Sequence, residues 1–423
     1  MAIYAFDGTW NKDDDLSVVG EKDTNVARFL DACDLPADEE EYVKGVGTRF
    51  SIFGKIIGGL TGTGGKKRIR DMWKQLRENF AGGDEEIHLI GFSRGAALAL
   101  HFANEIHEKK LVDQHGKRVS ATIGFMGLWD TVGSFGMPLN IILPFQEWNP
   151  GYDLSVPPNV TWCYHALAID ERREAFTVTR LNPDQSDPRI EERWFRGVHS
   201  DVGGGNENLA LSNIALKWML QKAADVGLPV NARKLDALDR TIDTTAAISE
   251  NLDPSPDPAR RRHPLDLYHP TAVARSLRVG ETVTFTVNAG ERFSWSGVRL
   301  VKGGEYAFDF DPDQIWKDGK LECGPSGWSV QGKKDELNWL VERLLKHAED
   351  DRRHPEADWF EVVGTLGNES DETRDMFRIG NGSTRVTPYS PGHSDVLYCF
   401  ANDLNSRYGN NEGAVRISIT RVG

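Results

Sequence analysis

Ser93, Asp130 and His199, spaced in that order along the first half of the chain, have the side-chain types that nucleophilic acyl transfer needs. Ser93 stands in Gly91-Phe92-Ser93-Arg94-Gly95, between the run Glu86-Ile87-His88-Leu89-Ile90 and the helix formers Ala96, Ala97, Leu98 and Ala99. A strand that ends in G-x-S-x-G and turns directly into a helix lifts the serine hydroxyl to the carboxyl edge of a sheet, and a Cβ at either glycine is expected to clash. The chemistry expected is acyl transfer to water. It requires a base to take the hydroxyl proton and a carboxylate to orient the base. Asp130, in Gly127-Leu128-Trp129-Asp130-Thr131-Val132-Gly133, follows an apolar run at the kind of strand end where functional groups of open α/β sheets gather. His199, in Phe195-Arg196-Gly197-Val198-His199-Ser200-Asp201-Val202-Gly203-Gly204-Gly205, follows another short apolar piece and is the candidate base. Asp201 and Asp170 compete with Asp130 for the acid role, although Ala168-Ile169-Asp170-Glu171-Arg172-Arg173 reads more as an ion-pair node. The oxyanion donors expected are the backbone N–H of Arg94 and a second amide from Phe6-Asp7-Gly8-Thr9-Trp10, at Gly8 or Thr9. None of these steps calls for a metal or cofactor.

These side chains need a scaffold that brings strand ends together, and the pattern over residues 1 to about 230 supplies one. Strands are predicted at Ile3 to Phe6, Tyr42 to Val46, before Ser93, Thr122 to Trp129 and Thr161 to Ile169. Helices are predicted at Asn25 to Ala32, Arg68 to Phe80, from Ala96 toward Lys109, and at Leu209 to Ala224. Alternation of this kind predicts a mostly parallel sheet covered by helices, an α/β domain. Between Asn251 and Pro270 the composition turns to Pro254, Pro256, Pro258 and Arg260-Arg261-Arg262, which reads as a linker over 251–279. Beyond it, period-two runs such as Thr282 to Val287 and Gly413 to Ile419 predict an all-β domain over 280–423, interrupted by one amphipathic helix from Asp335 to Ala348.

The chain of 423 residues exceeds one ordinary core, so two domains are the default. Its formal charge of −14 argues against a nucleic-acid or anionic-membrane partner. Four scattered cysteines, Cys33, Cys163, Cys323 and Cys399, form no C-x-x-C pair and suggest buried thiols of a protein made in a reducing compartment. No basic n-region opens the sequence and no run of 18 apolar residues occurs, so neither a secretory signal nor a membrane-spanning helix is expected. The run Gly58 to Lys67 imitates a phosphate loop, but Leu60 stands where its first glycine belongs and Lys67 where its Ser or Thr belongs, so nucleotide binding is excluded. Met137-Pro138-Leu139-Asn140-Ile141-Ile142-Leu143-Pro144-Phe145 reads either as an apolar binding loop or as a cover for the core.

The ordered motifs FDGTWN, TNVARF, GFSRGAA, GLWDTV, YHALAIDERREAF and FRGVHSDVGGG, over roughly residues 1 to 230, resemble the α/β-hydrolase family that includes type VI secretion phospholipase effectors. The resemblance implies an α/β-hydrolase fold, a triad of Ser93, Asp130 and His199, and a lipid-ester substrate. It further implies a cytoplasmic protein exported without a signal peptide, with a secretion-system component as partner. The chain lacks the large insertions of the longer effectors.

A loop before the last predicted strand, Asn402 to Gly413, concentrates oxygen ligands of the kind a hard cation such as calcium takes. With its flanks, and loosely over 280–423, it resembles the PA-I type galactophilic lectins, notably in Tyr408-Gly409-Asn410-Asn411-Glu412-Gly413 and in the acidic residue seven positions before Asn410. That resemblance implies a β-sandwich. It also implies calcium held by the side chains of Asp403, Asn410 and Asn411 and the carbonyl of Arg407, with sugar as a partner. His354-Pro355 falls where that family contacts sugar, although Glu356-Ala357-Asp358 departs from its pattern. Two functions therefore stand side by side. One is a serine hydrolase of carboxylic esters, lipid or phospholipid acyl esters foremost; the other is a calcium-dependent carbohydrate-binding or adhesion protein with a vestigial hydrolase core.

Overall fold

The structure, a computed structural model, describes residues 1–8, 23–34, 63–133, 153–173, 176–206, 208–249, 260, 263–335, 337–367, 375–380, 384–386 and 394–423. They divide into two compact units: Met1–Thr244 with Ile248–Ala272, and Thr245–Ala247 with Val273–Gly423. The strand expected at Tyr42 to Val46, Thr9, and the apolar run Met137 to Phe145 lie outside the described residues, while Thr63 to Lys67 of the glycine-rich run open a helix.

The first unit is built on strands β1 (Ala2–Phe6), β2 (Ile87–Phe92), β5 (Ile123–Trp129), β6 (Val160–Ala168), β7 (Ile190–Phe195) and β8 (Leu267–Tyr268), with a small hairpin of β3 (Leu111–Val112) and β4 (Arg118–Val119) set apart. The six strands lie in the order β1-β2-β5-β6-β7-β8, and every pairing is parallel. Parallel strands buried on both faces are apolar throughout rather than alternating, and every residue of β1 and β2 is buried. Helices α1 (Asn25–Ala32), α2 (Thr63–Ala81), α3 (Arg94–Glu108), α4 (His199–Gly203), α5 (Ser212–Asp225) and α6 (Ala232–Leu238) accompany the sheet. Neighbouring residues of β5 face opposite ways. Met126 and Leu128 join Leu98, Phe102 and Trp73 in one core, whereas Phe125 and Trp129 pack on Phe29 of α1. Each such large side chain taken from water contributes roughly 1.5–3 kcal/mol.

The stretch that composition marks as a linker departs from that reading. Of its described residues, Arg260 and 263 to Ala272 belong to the first unit and Val273 to Val279 to the second: β8 extends the sheet beside β7, and Arg260 is buried.

Among its described residues, the second unit is all-β apart from helix α7 (Trp339–His347), which begins later than the expected Asp335, and short 3₁₀ turns. One sheet orders β10 (Thr282–Asn288), β21 (Ala414–Arg421), β12 (Glu305–Asp309) and β18 (Thr384–Val386), all antiparallel. A second orders β15 (Ser326–Trp328), β16 (Trp359–Leu366), β19 (Val396–Ala401), β11 (Ser294–Arg299) and β9 (Arg275–Ser276), with β17 (Met376–Arg378) also on β16 and the β9–β11 pair parallel. A third joins β14 (Leu321–Cys323), β13 (Trp316–Asp318) and β20 (Asn411–Glu412). Phe285, Ile417, Phe308, Trp359 and Leu397 share one core. Among the described residues no helix is long and apolar enough to cross a membrane.

Candidate active site

The carboxyl ends of β2 and β5 set two of the three predicted side chains. β2 ends at Phe92, Ser93 adopts φ 59°, ψ −128°, and α3 starts at Arg94. A positive φ is costly for a residue with a Cβ, so the turn must be imposed by its surroundings. Those surroundings are tight: a Cβ on Gly95 would lie 2.1 Å from the Phe6 carbonyl oxygen, and one on Gly91 would lie 2.7 Å from Ala96 Cα. Ser93 N–H donates to the Trp129 carbonyl at 2.9 Å, and Val132 N–H donates back to the Ser93 carbonyl at 3.2 Å. Backbone bonds thus tie the serine turn to the loop of Asp130, which also has a positive φ, 41°.

His199 is the first residue of α4, and its N–H donates to Glu171 Oε2 at 3.0 Å. Its ring packs on the rings of Phe92 and Phe176, each with its centroid 4.6 Å away. Nε2 stands 2.8 Å from Ser93 Oγ, and Nδ1 stands 2.6 Å from Asp130 Oδ2. A carboxylate can only accept, so Nδ1 carries the proton and Nε2 is left as acceptor for the serine hydroxyl. All three residues are buried, with Ser93 5 % and His199 4 % exposed. The other two carboxylates are engaged elsewhere. Asp201 receives the Val198 and Ser249 amides at 3.0 and 2.9 Å and the Ser249 hydroxyl at 2.5 Å; Asp170 receives the Gly197 amide at 2.7 Å.

Burial pushes the His199 imidazolium down by more than the Asp130 charge lifts it, and Arg260 adds to the lowering, so the ring is held below its ordinary range. Burial alone would raise the Asp130 carboxyl. The Arg260 charge and the His199 hydrogen bond more than reverse that and hold it well below the usual carboxylate range.

Arg260 is the residue that sequence reasoning missed. Its Nη1 and Nη2 fork onto Asp130 Oδ1 and Oδ2, the second bond measuring 2.8 Å, and they donate further to the carbonyls of Ala168 and Phe176 at 2.8 Å each. The only sequence signal was its place in an arginine run. A second array beside the site was also not anticipated. Thr131 Oγ1 lies 3.0 Å from His165 Nε2, and His165 Nδ1 lies 3.0 Å from Glu192 Oε1, which copies the hydroxyl–imidazole–carboxylate pattern. Thr131 and His165 are wholly buried, so no substrate reaches them. The array instead fixes Thr131, whose N–H also donates to His165, and through it the turn at Asp130.

Of the expected oxyanion donors, the Arg94 amide lies in the first turn of α3, whose leading N–H groups have no carbonyl within the helix to receive them. Gly8 lies against the elbow, where a Cβ would be 3.6 Å from Ser93 Cβ, but its N–H donates to Asp7 Oδ1 at 2.6 Å. Thr24 Oγ1 donates to the other oxygen of that carboxylate at 2.5 Å.

In the second unit the loop Asp403 to Asn411 faces Asp318 of β13. Asn411 Nδ2 donates to Asp403 Oδ2 at 3.1 Å, and Asn410 Nδ2 donates to Asp318 Oδ1 at 3.2 Å. Burial raises both carboxyls, and the Asp403 charge helps push Asp318 up to about 6. Among the described residues, no donor reaches the buried Asn411 Oδ1. Two carboxylates pushed up together and one orphaned amide oxygen are a donor set that fits a hard cation. Asn402 binds the His354 turn beside this loop, accepting the His354 amide at 2.9 Å and donating to the His354 carbonyl at 2.9 Å. Arg407 closes the loop by donating its amide to the Leu404 carbonyl at 2.9 Å.

Fold and site together define an α/β protein with a Ser–His–Asp array at the carboxyl edge of a parallel sheet, followed by a β domain. A family model described as the catalytic domain of T6SS Tle1-like phospholipase effectors matches residues 2–119 and 101–222, more than half of the chain, and the chain belongs to that family. No curated protein sequence matches it. Among solved structures, an uncharacterized protein from Pseudomonas aeruginosa is 21% identical with a TM-score of 0.37, over 57% of this chain and 48% of that one. The Tle1 effector bound to the VgrG spike of the type 6 secretion system is 16% identical with a TM-score of 0.27, over 84% and 49%. The EclA N-terminal domain, a PllA-like lectin, is 18% identical with a TM-score of 0.21, over 33% and 94%. The chain spans about half the length of the first two.

Proposed function

We propose that this protein is an α/β-hydrolase that cleaves carboxylic esters of lipids, phospholipid acyl esters foremost, with Ser93 as nucleophile, His199 as base and Asp130 as its orienting acid. The observation that carries the reading is the placement of one imidazole 2.8 Å from Ser93 Oγ and 2.6 Å from Asp130 Oδ2. Burial keeps that imidazole neutral at physiological pH, the form able to accept a proton. Ser93 Oγ attacks the ester carbonyl carbon while its proton passes to His199 Nε2. The carbonyl oxygen takes the negative charge and is met by the Arg94 amide, with the Gly8 amide as second donor once it turns from Asp7. His199 then returns the proton to the leaving alkoxy oxygen as the carbon–oxygen bond breaks. A water molecule, deprotonated at the same nitrogen, releases the fatty acid and restores Ser93. The lipid class rests on membership of a phospholipase effector family. The same membership supports synthesis in the cytoplasm and export through a type VI secretion system, with a component of that system as partner.

For the second unit we propose a lectin-like sandwich with calcium on the side chains of Asp403, Asn410 and Asn411 and the carbonyl of Arg407, supported by the orphaned Asn411 oxygen. Calcium there would bind the loop together and could present a sugar beside His354. This supports the carbohydrate-binding reading for that unit. The intact Ser93–His199–Asp130 geometry argues against a vestigial core in the first. A fluorophosphonate tests the choice: wild-type protein should gain one adduct, mapped to Ser93, and Ser93→Ala should gain none. Absence of the adduct on folded wild-type protein would remove the hydrolase reading.

A further inference from the structure

Arg260 does more in this fold than neutralise a buried charge, because of where its two bonds fall. A guanidinium has five donors in a fixed plane, and a bidentate fork onto a carboxylate sets the rotation of that carboxylate as well as its charge. Asp130 Oδ2 is the oxygen that meets His199 Nδ1, and it is also the oxygen on which Arg260 Nη2 sits at 2.8 Å. The other oxygen receives Arg260 Nη1 together with the Ala168 amide, the latter at 2.8 Å. Arg260 is itself anchored on the Ala168 and Phe176 carbonyls at 2.8 Å, so the fork cannot follow Asp130 if the carboxylate turns.

We propose that Arg260 is a positioning residue for the hydrolysis inferred above: it locks the Asp130 carboxylate on His199 and, by placing a permanent positive charge behind it, keeps His199 free of a second proton in mildly acidic water. Among the described residues, the charged groups facing His199 are Asp130 after β5, Arg260, and Glu171 after β6, the last joined to Arg173 at 2.6 Å. Burial is the largest cause of the lowering of His199; among the charges, Asp130 and Glu171 favour the imidazolium and Arg260 opposes it. An ester hydrolase with this arrangement retains an active base at pH values where an uncompensated Asp–His pair would already be protonated.

The inference rests on the serine hydrolase reading, so the experiment separates the two. The second-order rate of inactivation by a fluorophosphonate is measured from pH 4.5 to 9 for the full chain, its Arg260→Gln and Arg260→Lys variants, and Ser93→Ala as the blank. Arg260→Gln should move the acid limb of the wild-type profile upward by about one pH unit and slow inactivation on the plateau. Arg260→Lys, which keeps the charge and loses the fork, should leave the limb in place while still lowering the plateau several-fold. Superimposed limbs for wild type and Arg260→Gln would overturn the charge role, and a wild-type plateau in Arg260→Lys would overturn the positioning role. Should Arg260→Gln fail to fold, Arg260→Lys decides alone: an unmoved limb with a lowered plateau supports the proposal, and a moved limb or an unchanged plateau refutes it. Wild-type protein that Ser93→Ala matches in labelling would instead overturn the serine reading, and the Arg260 role with it.

Discussion

Replacing Asp130 by Asn removes one negative charge and almost no volume, and two separate consequences follow from its two partners. Toward His199, an amide in place of the carboxylate can present N–H to Nδ1 and favour the wrong tautomer, a change that costs about 10⁴ in kcat, or about 5.4 kcal/mol, in enzymes of this mechanism. Toward Arg260, the variant leaves a guanidinium that is buried and has lost its counter-ion. Breaking a buried pair from one side costs about 3–5 kcal/mol, and the carbonyls of Ala168 and Phe176 that Arg260 retains place the expectation at the lower end. For a unit of this size that lowers Tm on the order of 10 °C. The double variant Asp130→Asn, Arg260→Gln separates the effects. Removing both charges should restore most of the stability, because a neutral pair has no uncompensated charge to bury, while activity stays low. The assay is hydrolysis of a p-nitrophenyl ester alongside thermal unfolding of the three proteins. An Asp130→Asn protein with near wild-type turnover, or a double variant no more stable than Asp130→Asn, would refute the reasoning.

Three further outcomes are expected. Gly95→Ala places a methyl group 2.1 Å from the Phe6 carbonyl oxygen, a backbone atom that cannot swing away, so the variant should lose soluble yield or several kcal/mol in a denaturant titration; wild-type unfolding would contradict the packing of the elbow. His88 is buried on β2, and burial lowers it to about 4, below the unfolded value of about 6.5. The unfolded chain therefore binds the proton first on acidification, so the stability linked to this group is complete above about pH 6.5 and is lost as pH falls toward 4, by up to about 3 kcal/mol. His88→Leu should flatten that part of the stability–pH curve, and an unchanged slope would show that His88 is not the group responsible. For the second unit, calcium at a hundredfold excess over Kd should stabilise the fold by about 2.7 kcal/mol and so raise the melting temperature, and EDTA should reverse the rise. Asp403→Ala should abolish the difference and leave esterase activity intact; a melting curve indifferent to both additions would dismiss the calcium site.

What the sequence disclosed was local. Ser93 announces itself because strand, turn and helix are contiguous and each leaves a compositional mark around one pentapeptide. The runs of β1, β2, β5 and β6 were legible because a parallel sheet buries most of both faces, so apolar residues predominate, with His88 in β2 and Thr161 and His165 in β6 as the polar interruptions. The pairing of His199 with Asp130 over Asp201 and Asp170 was not decided by spacing, since all three acids lie near strand ends and the choice depends on which side chain the fold turns inward. Arg260 and the Thr131–His165–Glu192 array were invisible for a related reason: their partners are separated by many residues, and nothing periodic marks them. Proline-rich composition hid Arg260 further by suggesting a linker. Asp318 was missed beside the Asn402 to Gly413 loop because it comes from a different strand.

The most direct test of the central claim is product analysis on a lipid mixture. Vesicles of mixed phospholipids are incubated with wild-type protein and with Ser93→Ala at equal folded concentration, and free fatty acids and lysophospholipids are measured by mass spectrometry. Release of both products by wild-type protein, absent with Ser93→Ala, is the predicted result. Equal release by the two proteins, or no ester cleavage by a wild-type protein whose Ser93 reacts with fluorophosphonate, would contradict the assignment of Ser93 as the nucleophile of a lipid esterase.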